Sequence, residues 1–188
     1  MVFSNLVFLF IFLPIVLTVY YISPRKLKNI ILLLASLVFY AWGEPTYVFL
    51  MLLSIAINYV FGLMVSDKSK NPKRKKTILI VSIIANLLIL GYFKYVNFFI
   101  DLVNDIFNTA INFQDLPLPI GISFFTFQAM SYVIDVYRDD AKAQRNVFDL
   151  ALYIALFPQL VAGPIVRYTT IAEQLKSRVH NMDLFVKG

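Results

Sequence analysis

The chain has 188 residues, of which 60% are hydrophobic and 15% charged, with a mean hydropathy of +0.74. A water-soluble domain of this size has a polar surface to cover and cannot use that composition, whereas a bilayer protein can. The absence of cysteine and the single histidine, His180, exclude disulfides, thiolate metal sites and a multi-histidine centre built from this chain alone, and the net charge of +6 sits in clusters between apolar runs, which argues against a nucleic-acid surface.

The first apolar run covers 2–22 and contains Pro14, tolerated in a membrane helix when neighbours satisfy the carbonyl it frees. It has no basic leader and no small-residue cleavage site, so it reads as a retained signal anchor. A basic turn with Arg25, Lys26 and Lys28 follows, then a second run at 27–42 that ends in Tyr40 and Trp42, the residues of an interfacial aromatic belt. Gly43, Glu44 and Pro45 separate it from a third run at 46–65. The loop from Ser66 to Lys76 is strongly basic, and a fourth run covers 77–100. Lys94 near its far end is expected to snorkel among Tyr92, Phe93 and Tyr95. The segment 101–119 carries Asp101, Asp105 and Asp115 without a base and is expected to be partly helical as far as Phe113.

The fifth run covers 120–137 and is followed by Arg138, Lys142 and Arg145. The positive-inside rule applied to the connections gives five crossings that alternate without conflict and an N-terminus outside. The sixth run, 147–166, is interrupted by Pro158, Gly163 and Pro164 and leads into a basic tail, so a re-entrant hairpin is preferred over a sixth crossing. In 167–188, Thr170 and Glu173 have capping-box spacing and Ile171, Leu175, Val179 and Met182 recur at helical spacing, which predicts an amphipathic interfacial helix. The predicted fold class is all-α: a polytopic transmembrane helical bundle with a broken or re-entrant helix and that interfacial segment, 1–166 forming the membrane part.

The chemistry is sparse. No phosphate-binding loop and no metal-ligand spacing is present. In the fifth run Gln128, Ser131, Tyr132 and Asp135 fall on one helical face. Two readings of that face stand: hydrogen bonds between helices, or the polar wall of a substrate tunnel. His180, flanked by Arg178, Asn181 and Asp183, reads as a surface histidine.

Several segments together carry a resemblance. They are Met1-Val2-Phe3-Ser4, Phe39-Tyr40-Ala41-Trp42-Gly43-Glu44-Pro45, Asn58-Tyr59, Leu118-Pro119-Ile120-Gly121-Ile122-Ser123-Phe124-Phe125-Thr126-Phe127-Gln128, Tyr132 with Ile134-Asp135-Val136-Tyr137-Arg138, and Phe157-Pro158-Gln159-Leu160-Val161-Ala162-Gly163-Pro164-Ile165. In their order and spacing, residues 1–66 and 117–168 resemble the start of the membrane-bound O-acyltransferase family. They are closest to its alginate O-acetyltransferase branch, with the teichoic-acid D-alanylation transferase as a cousin.

The resemblance implies an enzyme of the cell membrane that moves an acyl group to a hydroxyl of an exported polymer. Its partners would be the bilayer, an acyl donor, the polymer and a periplasmic or extracellular acyltransferase, with no bound cofactor and no nucleic acid. It also implies a catalytic histidine in a later membrane helix. His180 does not match that motif, so no catalytic residue and no metal ligand is assigned, and the chain is expected to be an N-terminal portion, inactive alone. The tunnel candidates are Gln128, Tyr132, Asp135, Gln159 and Arg167. A transporter or flippase would also use broken helices and intramembrane polar groups, but no internal repeat supports it; a scaffold that only recruits partners is the third reading.

Overall fold

The computed structural model describes residues 6–67, 71–113, 116–162 and 166–176. Helices account for the regular structure of these residues, with no strand among them. A π-helical turn, Phe8–Phe12, leads into α1, Leu13–Ile22. The wide turn sits just ahead of Pro14, which has no N–H to donate to the preceding turn; the Leu13 N–H reaches back to the Phe8 carbonyl instead. Helix α2 is Lys28–Gly43 and α3 is Tyr47–Ser66. Phe8, Phe12 and Phe39 form an aromatic cluster with Phe157, with ring centroids 5.4–6.0 Å apart. It fastens the first helix to α2.

The fourth helix, α4, runs Pro72–Phe107, longer at both ends than the expected 77–100. Its start is set by local chemistry. The Asn71 side chain accepts the Lys73 N–H at 3.0 Å, and Pro72 occupies the first turn, where its missing N–H costs nothing. Its end is Asn108 at φ 48°, so the segment expected to be helical as far as Phe113 leaves the helix six residues sooner. Asparagine tolerates this left-handed geometry better than most residues. Helices α3 and α4 are both long and apolar enough to cross a membrane, and the apolar helices before them are shorter.

Helix α5, Ile122–Tyr137, is the hub, packing against α3, α4 and three shorter helices that follow. These are α6, Val147–Ala155, α7, Phe157–Ala162, and α8, Tyr168–Lys176. Helix α8 starts two residues before Thr170, so that threonine lies in its first turn rather than at its cap. Its apolar side is taken up by protein: Tyr168 and Leu175 are buried against α5 and α6.

Two contacts lock α3 in place. Asn58 of α3 and Asn86 of α4 exchange carboxamide hydrogen bonds, both 2.9 Å, and each also donates to the carbonyl four residues earlier, at Ser54 and Ser82. Between α3 and α5 the backbone at Gly62 lies against the Tyr132 ring, where a Cβ would stand 2.5 Å from the nearest ring carbon. Gly121, at φ 75°, begins α5 with its Cβ position 3.0 Å from the Leu160 carbonyl, so both conformation and space require glycine there.

Gly62→Ala is therefore expected to destabilise the protein by about 1–3 kcal/mol through overpacking. Gly91 has nothing within 4 Å of its Cβ position. Gly91→Ala should be neutral or stabilising by up to about 1 kcal/mol. Thermal unfolding of the two purified variants in one detergent checks the contrast.

Candidate functional site

The site begins at the break between α6 and α7. Leu156 departs from helical geometry, with ψ 114°, and Pro158 cannot donate a hydrogen bond. In a continuous helix the Phe157 N–H would bond the Tyr153 carbonyl. Here Phe157 N–H turns to Ser36 Oγ of α2, at 3.3 Å, and the Tyr153 carbonyl accepts from Gln128 Nε2 of α5, at 2.6 Å. Ser36 completes its own bonding by donating to the Leu32 carbonyl at 2.7 Å. Two side chains from two helices thus replace the backbone bond that the break removes.

Gln128 is also joined to Gln159 of α7, its Nε2 donating to Gln159 Oε1 at 2.9 Å. One turn along α5, Ser131 donates to the Gln128 carbonyl at 2.8 Å and lies 3.4 Å from the Tyr153 hydroxyl. Tyr153 donates that hydroxyl proton to the Val166 carbonyl at 2.8 Å. The Tyr132 hydroxyl accepts the Gln144 N–H at 3.0 Å and so orders the connection from α5 to α6. Tyr59 of α3 holds the same connection by donating to the Arg145 carbonyl at 2.7 Å. Asp135 is 5% exposed, and its Oδ2 has no hydrogen-bond partner among the described residues.

Tyr168 fills the space between Tyr132 and Tyr153, edge to face with both, at centroid distances of 4.9 and 5.2 Å. Burial pushes its phenol above the ordinary tyrosine value, and the nearby charge of Asp149 adds to the rise. Asn29 of α2 ties this end together, its Nδ2 donating at 2.9 Å to both Asp149 Oδ1 and the Leu175 carbonyl.

The structure brings Gln128 and Gln159 into direct contact. It places Tyr132 beside the connection to α6 and leaves Arg167 exposed next to the anchored Val166. His180, Gly163 and Pro164 lie outside the described residues. Sequence reasoning missed Ser36, Gln144, Tyr153 and Tyr168. Ser36 carried a usable signal as the one serine or threonine within its apolar run. Among the described residues no three His, Cys, Asp or Glu side chains come together as a metal site.

The chain as a whole is similar to known proteins. Over its whole length the chain is 42% identical to "Probable alginate O-acetylase AlgI" of Pseudomonas aeruginosa and 41% identical to the protein of that name in Azotobacter vinelandii. A peptidoglycan O-acetyltransferase of Helicobacter pylori is 33% identical over 95% of the chain. The resemblance to the alginate O-acetyltransferase branch is thus borne out. The chain spans 37% of the length of the Pseudomonas aeruginosa protein and 39% of the Helicobacter pylori one. Neither a protein-family profile nor a solved structure gives a significant match.

Replacing Gln128 by Leu leaves the Tyr153 carbonyl without its side-chain donor and should cost about 1–3 kcal/mol. Ser36→Ala should chiefly speed amide hydrogen exchange at Phe157, with little change at residues of α3. Exchange resolved by mass spectrometry checks both variants.

Proposed function

We propose that this chain is part of a membrane-bound O-acetyltransferase that transfers acetyl groups to hydroxyls of an exported polysaccharide. The observation that carries the reading is the similarity, over all or nearly all of this chain, to proteins named as alginate O-acetylases and as a peptidoglycan O-acetyltransferase. The chemistry is acyl transfer. An acceptor hydroxyl oxygen attacks the acyl carbonyl, a base takes the hydroxyl proton, and the donor's leaving group departs with the bonding pair. The described residues contain no histidine, so the base that the family resemblance requires is assigned to none of them.

Their role would be to shape the path. Gln128, Tyr132 and Asp135 of α5, Gln159 of α7 and Arg167 just before α8 would line that path, and hydrogen bonds already orient Gln128 and Tyr132. Such fixed dipoles lower the cost of carrying a polar acyl group through a low-dielectric interior. The donor reaches the protein as a substrate rather than a resident cofactor, and a periplasmic or extracellular acyltransferase would complete the assembly.

The fold also supports an orientation. Arg25, Lys26 and Lys28 precede α2, Lys73–Lys76 open α4, and Arg138, Lys142 and Arg145 follow α5. Hydrogen bonds from Asn29 to Asp149 and from Tyr59 to Arg145 bring these connections to one end of the bundle. That end would face the cytoplasm, with the N-terminus outside.

Two experiments test the proposal. In the complete protein, Gln128→Ala and Asp135→Ala should each lower acetyl content of the exported polymer by about tenfold or more, with membrane insertion unchanged. Parental acetylation in both variants would reduce their role to helix packing. Single cysteines at Lys73 and Asn108, in a chain that has none of its own, should label with an impermeant maleimide from opposite sides of the membrane. Labelling of both from one side would refute the orientation.

A further inference from the structure

Residues 166–168 lie against α5 and α6, held at two points. The Tyr153 hydroxyl holds the Val166 carbonyl at 2.8 Å, and Tyr168 is wedged between two tyrosine rings. Arg167 lies between these two fixed points with its side chain exposed. One helical turn along α5 from Ser131, which lies beside the Tyr153 hydroxyl, is Asp135, buried and with one carboxylate oxygen unpartnered.

We propose that Asp135 and Arg167 are a positioning pair, the buried carboxylate receiving the Arg167 guanidinium and so strapping residues 166–168 across the end of α5. The chain positions agree: Val166, next to Arg167, is held by the Tyr153 hydroxyl, which lies 3.4 Å from Ser131, one turn before Asp135. The roles of the two partners are unequal. An exposed arginine loses little by itself, but a carboxylate oxygen buried without a partner is strongly unfavourable, so the carboxylate drives the pairing. Tyr153 and Tyr168 fix the backbone on either side, which lowers the entropy lost when the guanidinium docks. The pair acts on chain position, so it stands or falls independently of acetyl transfer.

The readout is limited proteolysis of the full-length protein with chymotrypsin, followed by mass spectrometry. The bond after Tyr168 reports the strap, and the bond after Phe113, in the loop at the other end of the bundle, reports general folding. Asp135→Asn and Arg167→Gln should each speed cleavage after Tyr168 by about tenfold, because cleavage follows the population of the opened segment. Cleavage after Phe113 should not change. The double variant should be no faster than the faster single variant, and Arg167→Lys should keep most of the protection. A parental rate at Tyr168 in Arg167→Gln, or multiplied effects in the double variant, overturns the proposal. Should Asp135→Asn raise cleavage at both bonds by misfolding, the two Arg167 variants decide, since removing a merely solvated arginine would leave both rates alone.

Discussion

Backbone polar groups that leave a helix in an apolar setting must find a partner within the protein, and much of this structure follows from that constraint. The break between α6 and α7 frees the Phe157 N–H and the Tyr153 carbonyl. Ser36 and Gln128 take them up from two other helices. The same solution recurs at the far end of the bundle. Asn97 bonds both the N–H and the carbonyl of Leu116, and Asn104 does the same for Ile111. Tyr47 adds a bond to the Pro117 carbonyl. Side chains here do what water does for the loops of a soluble protein.

The constraint also explains why polarity on α5 has two meanings at once. Gln128 satisfies a broken neighbour, and through Gln159 it joins α7 to the hub. Tyr132 packs against Gly62 through its ring and orders the α5–α6 connection through its hydroxyl. Helix cohesion and a polar path therefore do not compete as explanations, because the groups that hold the bundle also present the dipoles. A substitution at Gln128 will perturb both, which is why insertion must be measured beside acetylation.

Much of the fold was legible in the sequence because its signals are local. Apolar run length, Gly and Pro punctuation and the clustering of bases depend on neighbours in the chain, and the helices lie close to where those signals place them. The start of α4 was misjudged because the basic residues 73–76 looked like loop, although Asn71 and Pro72 together spell a helix start. The partnerships at the site were far less legible. Ser36 and Phe157 are 121 residues apart, and Asn29 and Leu175 are 146 apart. A single sequence carries no signal for pairings of that range. The polar face of α5 could be drawn from helical periodicity, but the carbonyl of Tyr153 that gives Gln128 its task could not.

Helix α4 sets a dimension for the whole assembly. Its 36 residues measure about 54 Å, while the hydrocarbon core of a bilayer is about 30 Å thick. Tilting by as much as about 40° would still leave roughly 10 Å that the hydrocarbon cannot cover. Helix ends that stand clear of lipid need charge or polarity, and α4 has both: Lys73–Lys76 at its start, Asp101 and Asp105 near its finish. It therefore works as a mast. The clamp of Asn104 on Ile111 rides on the last turn of this helix, so the chain it holds keeps a fixed distance from the basic start of α4.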